Sequence, residues 1–273
     1  MSLQRGITQY LPWHSAVQNH LYMKGARSIC QTREECIDFD TELIYKPREG
    51  TCTFNNAEFK TTQNFTAEGR FTGAKPTGTG IAVIGDSHAM GWGVQDEETF
   101  SAELQKISRR PVYNLAVSSY GTVRELRRLE RTGLMDRVDT VILQYCDNDL
   151  EENRLNRLSD IEENRKKYTE IAGRKESRKG LQKMLARAYR FAFTAPFKGS
   201  RHGRATRKPK DFAPHYESLI AVLEKYEGLR QKRVLVFYTN AHGRPFKSYP
   251  AGKDQRLPNV EFIEVSLDAA DFY

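Results

Sequence analysis

Long hydrophobic stretches are missing from this sequence. No window holds about eighteen consecutive apolar residues, which excludes a transmembrane helix from the chain as given. The N-terminal stretch, MSLQRGITQYLPWHSAV, has no apolar core of the kind that a signal peptide needs. The localisation therefore stays unknown. We expect a soluble chain, with a cell-envelope or periplasmic location if a longer parent chain carries an anchor.

Cysteine is scarce, and the spacing of the four cysteines matches no zinc site. Cys146 ends an apolar run and is predicted to be a core thiol, whereas Cys30, Cys36 and Cys52 lie in a polar region. The sequence leaves the disulfide state open, and these three cysteines allow one disulfide if the protein is exported. The sequence also lacks an H-E-x-x-H motif and an ordered G-x-G-x-x-G, so no metal and no nucleotide cofactor is expected.

Net positive charge is confined to one segment of the chain. The net charge is +8, but residues 151–211 contain 18 Lys/Arg and 8 Asp/Glu, so the remainder carries −2. This basic segment is either a solvated helical face with a loop or a surface for an acidic polysaccharide or an anionic membrane. No nucleic acid is expected, because no nucleic-acid-reading module accompanies the charge.

Short, nearly continuous apolar runs alternate with helical patterns in the rest of the chain. Such runs are typical of a parallel sheet that is covered on both faces. The alternation predicts an α/β fold, a three-layer α/β/α sandwich with a mostly parallel five-stranded sheet. The predicted strands are 81–85, 112–117, 140–146, 233–239 and 260–265, and the predicted helices are 97–110, 122–137 and 215–232.

The segment before residue 78 does not follow this alternation. Its short β-type runs are separated by Pro, Gly and Asn, which predicts an N-terminal β-rich arm or small subdomain over residues 1–77. Residues 78–273 then form the α/β domain. Residues 151–214 are a basic insertion between the third and fourth strands, with a helix predicted near 178–193.

Polar residues follow three of the predicted strands, at the points where ligands bind in open α/β sheets. The first strand ends at Gly85-Asp86-Ser87-His88, the second block reads NLAVSSYGT over residues 114–122, and the third reads QYCDNDLEEN over residues 144–153. A serine at the start of a helix would lie beside backbone N–H groups that favour developing negative charge. A turn serine that caps the helix is the simpler alternative for Ser87.

The three blocks, in this order, resemble the GDSL, or SGNH, hydrolase family of serine esterases. The resemblance implies a flavodoxin-like sheet over about residues 78–266, with Ser87 as the nucleophile and the side chain of Asn148 as an oxyanion donor. It also implies a backbone N–H donor from the second block, which is Ser119 by ungapped spacing, with Gly121 as the alternative. Asp147 and Asp149 flank Asn148. We interpret them as turn residues that orient Asn148, and the alternative is that they bind a cation.

The general base of this family is missing at its usual place. The resemblance implies an Asp-x-x-His block after the fifth strand, but residues 268–271 read Asp-Ala-Ala-Asp, and no histidine follows His242. Either the sequence is a fragment, which we expect, or the protein is a degenerate relative without catalysis. His242 and Asp86 are the auxiliary candidates. His88 is expected to shape the start of the helix that follows the first strand, and His14, His20, His202 and His215 are expected at the surface.

The resemblance implies acyl transfer on an ester, such as an O-acyl group on a carbohydrate, and a bacterial origin. Whether water or a sugar hydroxyl accepts the acyl group is open, so an O-acyltransferase using the same serine is a close variant. A non-catalytic carbohydrate-binding relative is the alternative from another class of protein.

Overall fold

The structure is a computed structural model that describes residues 29–56, 59–155, 159–173, 210–238 and 246–265. The helices in these ranges are α1 (Ser87–Met90), α2 (Phe100–Ser108), α3 (Thr122–Arg131), α4 (Asp149–Leu155), α5 (Ile161–Gly173) and α6 (Ala213–Lys225). The strands are β1 (Ile37–Asp40), β2 (Ile44–Pro47), β3 (Gly50–Asn55), β4 (Lys60–Thr66), β5 (Gly69–Arg70), β6 (Gly80–Ile84), β7 (Val112–Asn114), β8 (Val138–Tyr145), β9 (Lys210–Asp211), β10 (Arg233–Tyr238), β11 (Phe246–Lys247), β12 (Gly252–Lys253) and β13 (Val260–Ile263).

A large, mostly parallel sheet forms the centre of the fold. The strands β7, β6, β8, β10 and β13 are neighbours in that order, and each adjacent pair is parallel. Numbered along the chain, these five strands lie in the order 2-1-3-4-5, which is one of the common orders of doubly wound α/β folds. Each of these strands overlaps one of the apolar runs expected from the sequence, so the predicted α/β class is confirmed.

Helices and further elements cover the two faces of this sheet, because successive strand residues point to opposite sides. Ala82 and Ile84 of β6 pack in one buried cluster with the apolar faces of α3 and α6. Ile81 and Val83 pack in a second cluster with α1 and the N-terminal segment. The interior strand β6 is buried at all five positions, which accounts for its continuous apolar sequence.

The sheet is wider than the five strands expected from the sequence. In the described ranges it has nine strands, because β12 pairs antiparallel with β13 at one edge and β5, β4 and β3 add an antiparallel extension at the other. The extension lies within the segment 1–77, whose assignment as a β-rich arm or small subdomain stays a prediction. The bridge between Arg70 and Asn114 joins it to β7. The division at residue 77 stays a prediction.

A disulfide between Cys36 and Cys52 joins the segment before the β1–β2 hairpin to strand β3. The sequence left open whether three of the four cysteines form a disulfide, and it indicated no pairing. Cys30 is a buried free thiol, and burial raises its pKa to about 12. Cys146 is also a buried free thiol, as expected for a core position.

The part of the chain that the structure describes contains no helix that is both long and apolar enough to cross a membrane. Helix α5 lies inside the predicted basic insertion and contacts β1 and β2 of the N-terminal segment. The basic stretch 174–209, with its predicted helix near 178–193, lies outside the described residues. The predicted membrane contact of the insertion therefore stays a prediction.

Candidate active site

Strand β6 ends in a tight turn that only glycine can make. Gly85 has a φ of +150°, and a Cβ there would lie 2.7 Å from Cβ of Ala89 and 2.9 Å from Cβ of Gln144. Since such distances are far below van der Waals contact, a side chain at this position would force α1 away from the end of the sheet. The turn places Ser87, which is half-buried, as the first residue of α1.

Asp86 fixes the start of α1. It is the N-cap residue, and its Oδ1 accepts hydrogen bonds from the backbone N–H of His88 at 2.9 Å and pairs with Nδ1 of His88 at 3.1 Å. The hydrogen bond to Asp86 raises the pKa of His88 above its ordinary value. Such N-caps stabilise helices by about 1 kcal/mol. Asp86 therefore holds both the backbone and the imidazole beside Ser87.

A buried glutamine on the neighbouring strand supports the same turn. Oε1 of Gln144 accepts hydrogen bonds from the backbone N–H groups of Asp86 and Ala89, each at 3.2 Å. Gln144 is fully buried in β8. We did not identify it from the sequence, although a polar residue inside the apolar run VILQYC was the signal available. Its amide locks α1 to the end of β8.

The second block forms a turn after β7. The backbone continues the parallel pairing past the strand, with N–H of Leu115 bonded to the carbonyl of Val83 and N–H of Val117 to that of Gly85. Ser119 then takes the left-handed conformation with φ +64°, which is uncommon for a residue other than glycine. Its Oγ accepts a hydrogen bond of 3.0 Å from Nε2 of Gln31 in the N-terminal segment.

Gly121 has a different structural role from Ser119. It precedes α3 with φ −110°, in the extended region that any residue adopts. A Cβ there would lie 2.9 Å from Cδ of Glu152, so the glycine permits close approach of α3 and α4. Of the two candidates in this block, Ser119 has the left-handed backbone and Gly121 has the close packing.

The third block forms the turn between β8 and α4. The backbone N–H of Asp149 bonds to the carbonyl of Cys146, and Oδ2 of Asp149 accepts the N–H of Cys146, both at 3.1 Å. Asn148 lies exposed at the tip of this turn, whereas Asp149 is fully buried. Asp149 is thus a turn residue, which is one of the two interpretations of it; the other was a cation ligand.

The three blocks follow adjacent parallel strands, β7, β6 and β8, and therefore meet at one edge of the sheet. The strand order reverses at β6, and ligands of doubly wound sheets bind at such a switch point. Ser87, Ser119 and Asn148 are all placed at this edge. Their roles in catalysis stay predictions.

No histidine in the described ranges is hydrogen-bonded to the Ser87 hydroxyl. His88 pairs with Asp86, and His215 pairs through Nδ1 with the hydroxyl of Tyr145 at 2.8 Å. The expectation that His215 lies at the surface is wrong, since it is 4% exposed and packs among aromatic rings at the end of β8. His242 and residues 268–271 lie outside the described residues.

No group of three or more His, Cys, Asp and Glu residues that could hold a metal ion occurs in the described ranges. The cation interpretation of Asp147 and Asp149 thus receives no support from this part of the chain. The carboxylate of Asp149 instead bonds to a backbone N–H and to the hydroxyl of Thr122.

Comparison with known proteins gives little. No family model matches the chain, and no curated protein matches it. A solved structure of a mutant of the esterase AlinE4 is similar over 60% of this chain and 60% of its own, with 17% identity and a TM-score of 0.31. The chain thus spans less than two thirds of the length of that esterase. A likeness this weak carries no argument about function.

Proposed function

We propose that this chain is a serine esterase or acyl hydrolase of the SGNH (GDSL) type, acting on an ester such as an O-acylated carbohydrate. One observation carries the proposal: the blocks GDSH, NLAVSSYGT and QYCDNDLEEN follow three adjacent parallel strands and lie at the switch point of the sheet. Residues that are scattered over more than sixty positions of the sequence are thereby collected at one edge.

In the proposed reaction, Oγ of Ser87 attacks the ester carbonyl carbon and its proton passes to a general base. The carbonyl oxygen becomes an oxyanion, and the tetrahedral intermediate then collapses and releases the alcohol, which takes up that proton. Water attacks the acyl-serine in the second half of the reaction and releases the carboxylic acid. No metal and no cofactor takes part in these steps.

The oxyanion is held by the N–H groups of Ser87 and Ser119 and by the side-chain amide of Asn148. The left-handed backbone of Ser119 supports this assignment over Gly121, because a glycine-like turn is what the resemblance implies for the donor position. Loss of one such donor costs on the order of 3 kcal/mol of barrier, or 100-fold to 1000-fold in kcat. Asn148→Ala is expected to lose activity by that factor.

The base is the part of the mechanism that the described residues do not supply. His88 and His215 have other partners, and His242, which follows β10 in the sequence, is the remaining auxiliary candidate. A base contributes about 100-fold to 10,000-fold. If His242 is the base, the His242→Ala variant loses activity by that factor. If the base is another group, the variant keeps its activity.

Turnover of p-nitrophenyl acetate by this chain and by its Ser87→Ala variant tests the proposal. Ser119→Ala is the matched control, because it removes a hydroxyl at the same edge and keeps the backbone N–H that the mechanism uses. We expect turnover that Ser87→Ala abolishes and Ser119→Ala retains, either in this chain or, if the base lies outside it, in a chain extended to include that base. Equal turnover of wild type and Ser87→Ala in the extended chain contradicts the hydrolase.

The absence of a histidine contact to Ser87 in the described ranges favours one second candidate, a non-catalytic carbohydrate-binding relative that keeps the cleft. An O-acyltransferase using the same serine is a variant of the first proposal. Acetylation of a sugar hydroxyl that depends on Ser87, without hydrolysis, identifies the transferase. Binding of an oligosaccharide that Ser87→Ala leaves unchanged identifies the binding protein.

A further inference from the structure

Three polar side chains meet in the buried space between α3 and α4, directly behind the turn that carries Asn148, and the buried side chain of Glu125 belongs to the next turn of α3. Thr122 and Glu125 lie one turn apart on α3, and Asp149 and Asn153 lie one turn apart on α4. Oγ1 of Thr122 contacts both residues of α4, at 3.4 Å from Oδ2 of Asp149 and 3.2 Å from Nδ2 of Asn153. We call these four residues the α3–α4 polar cluster.

The α3–α4 polar cluster has more hydrogen-bond acceptors than donors. All four residues are at most 1% exposed. Both carboxyl oxygens of Glu125, Oδ1 of Asp149 and Oδ1 of Asn153 have no hydrogen-bond partner. A buried acceptor without a partner costs about 1–3 kcal/mol, and more if it is charged. Four such atoms in one cluster require a donor that the ionised side chains do not provide.

A proton on one carboxyl group supplies such a donor. Asp149 is the better carrier of negative charge, since its Oδ2 accepts from the N–H of Cys146 and from Thr122, whereas Glu125 accepts nothing. Burial raises the pKa of Glu125 well above its ordinary value, and the negative charges of Asp149 and Asp86 raise it further. Burial and Asp86 also raise the pKa of Asp149, so ionisation of both carboxyl groups together is disfavoured.

We propose that Glu125 is a positioning residue that carries a proton at neutral pH and donates it to Oδ1 of Asp149, thereby holding the turn that presents Asn148. The O–H of Glu125 satisfies one of the unpartnered oxygens of Asp149. The other carboxylate oxygen of Asp149 stays bonded to the N–H of Cys146, at the base of the turn. Loss of the proton places two negative charges in the cluster and loosens the turn. The role of the turn in catalysis rests on the proposed function, but the proton on Glu125 does not.

The other charged groups around the cluster do not replace this proton. Asp86, before α1, and Glu152, on α4, are negative. Arg124 on α3 is the positive group, and it is already engaged by Glu152 at 2.8 Å and by the carbonyl of Ser119. Helix α6, which packs on α3 and α4, contributes His215, whose Nδ1 bonds to Tyr145.

The pH dependence of stability has a definite sign. The folded chain keeps a proton on Glu125 that the unfolded chain releases near the ordinary glutamate pKa of 4.5. Folding stability attributable to this group therefore falls as the pH rises from that value to the raised one. Glu125→Gln, which is neutral and keeps an N–H donor, removes this fall. Urea unfolding from pH 5 to pH 9 is expected to show a smaller decline for Glu125→Gln than for the wild-type chain.

Infrared difference spectroscopy provides a second test. It detects the protonated carboxyl group itself, which a residue with a purely structural role does not require. The wild-type chain is expected to show the C=O stretch of a protonated buried carboxyl at neutral pH, and Glu125→Gln is expected to lose it. Glu130→Gln on the same helix is the control, because Glu130 is exposed and pairs with Arg127. It is expected to keep the band and the pH profile.

Measurement of kcat and KM provides a third test. Glu125→Gln is expected to keep kcat at neutral pH and to retain it at alkaline pH, where the wild-type chain declines. Glu125→Leu removes the donor, and displacement of the turn is expected to lower kcat on the order of 100-fold with little change in KM. If Ser87→Ala shows that there is no esterase, the spectroscopic and unfolding results still decide whether Glu125 carries the proton.

Two results overturn the proposal. One is the absence of the carboxyl band together with parallel pH profiles of stability for Glu125→Gln and the wild-type chain. The other is a fall in wild-type stability after treatment with EDTA that Ca²⁺ or Mg²⁺ restores, since a cation rather than a proton would then satisfy the four oxygens.

Discussion

Replacement of Arg70 by methionine is expected to unfold the loop that follows the candidate nucleophile helix. Arg70 is 2% exposed, and its guanidinium donates to Oδ1 of Asp96 at 2.7 Å and to the carbonyls of Met90, Gly91 and Val94 at 2.6–2.7 Å. One side chain from β5 thus ties the antiparallel extension to the loop after α1.

The magnitude follows from the burial of the pair. Arg70→Met keeps the apolar stem but leaves the Asp96 carboxylate, which is 5% exposed, with donors only from Asn64. Breaking a buried ion pair from one side costs about 3–5 kcal/mol. The carbonyl of Met90 also loses a buried donor, whereas the bonds to the carbonyls of Gly91 and Val94 are part-buried and their loss adds less. We therefore expect a loss of about 3–5 kcal/mol.

Urea unfolding followed by circular dichroism and by the fluorescence of Trp92 measures this loss. Trp92 lies in the same loop and packs edge-on against Phe54 and Phe59. Arg233→Met is the matched control, since its pair with Glu261 is 2.9 Å long but exposed, and such pairs contribute at most about 1 kcal/mol. Equal losses in the two variants would refute the reasoning.

Two further predictions concern the turn after β7 and the disulfide. Ser119→Val is expected to cost about 1–3 kcal/mol in unfolding experiments, because a β-branched residue is strained at φ +64°, whereas Ser119→Gly is expected to stay within about 1 kcal/mol of the wild-type chain. Equal costs for the two variants contradict the left-handed turn. Reduction of the Cys36–Cys52 disulfide, which links residues 16 positions apart, is expected to lower the free energy of unfolding by about 3 kcal/mol, and a Cys36→Ser/Cys52→Ser variant should be insensitive to dithiothreitol.

The parallel core was predictable because its signal is local. Strands buried on both faces are continuously apolar, and the run 81–85 overlaps four of the five residues of β6, while the run 233–239 contains β10. The antiparallel extension β3–β5 was not assigned to this sheet, because its pairing with β7 depends on one bridge between residues 44 positions apart. Burial alternates along β4, but two of its three buried residues, Thr61 and Gln63, are polar, so the sequence reveals neither the buried face nor the partner strand.

In the candidate site, only the residues that directly follow predicted strands could be selected from the sequence, and their roles stay predictions. Ser87 and Asn148 follow strands and belong to short blocks, so the sequence identifies them. Gln144 and Arg70 support the site through hydrogen bonds to backbone groups, which no residue pattern encodes. His215 was misplaced although it lies four residues before Leu219 and seven before Val222, which is the helical spacing of residues on one buried face.

The most direct test of the account is to find the acyl-enzyme. The chain is incubated with p-nitrophenyl acetate, quenched in acid and digested, and the acetylated peptides are identified by mass spectrometry, with Ser87→Ala treated in parallel. The account predicts acetyl on Ser87 in the wild-type chain, on a peptide that stays unmodified in the variant. Turnover of the ester that persists in Ser87→Ala, without acetyl on Ser87 in the wild-type chain, would contradict it.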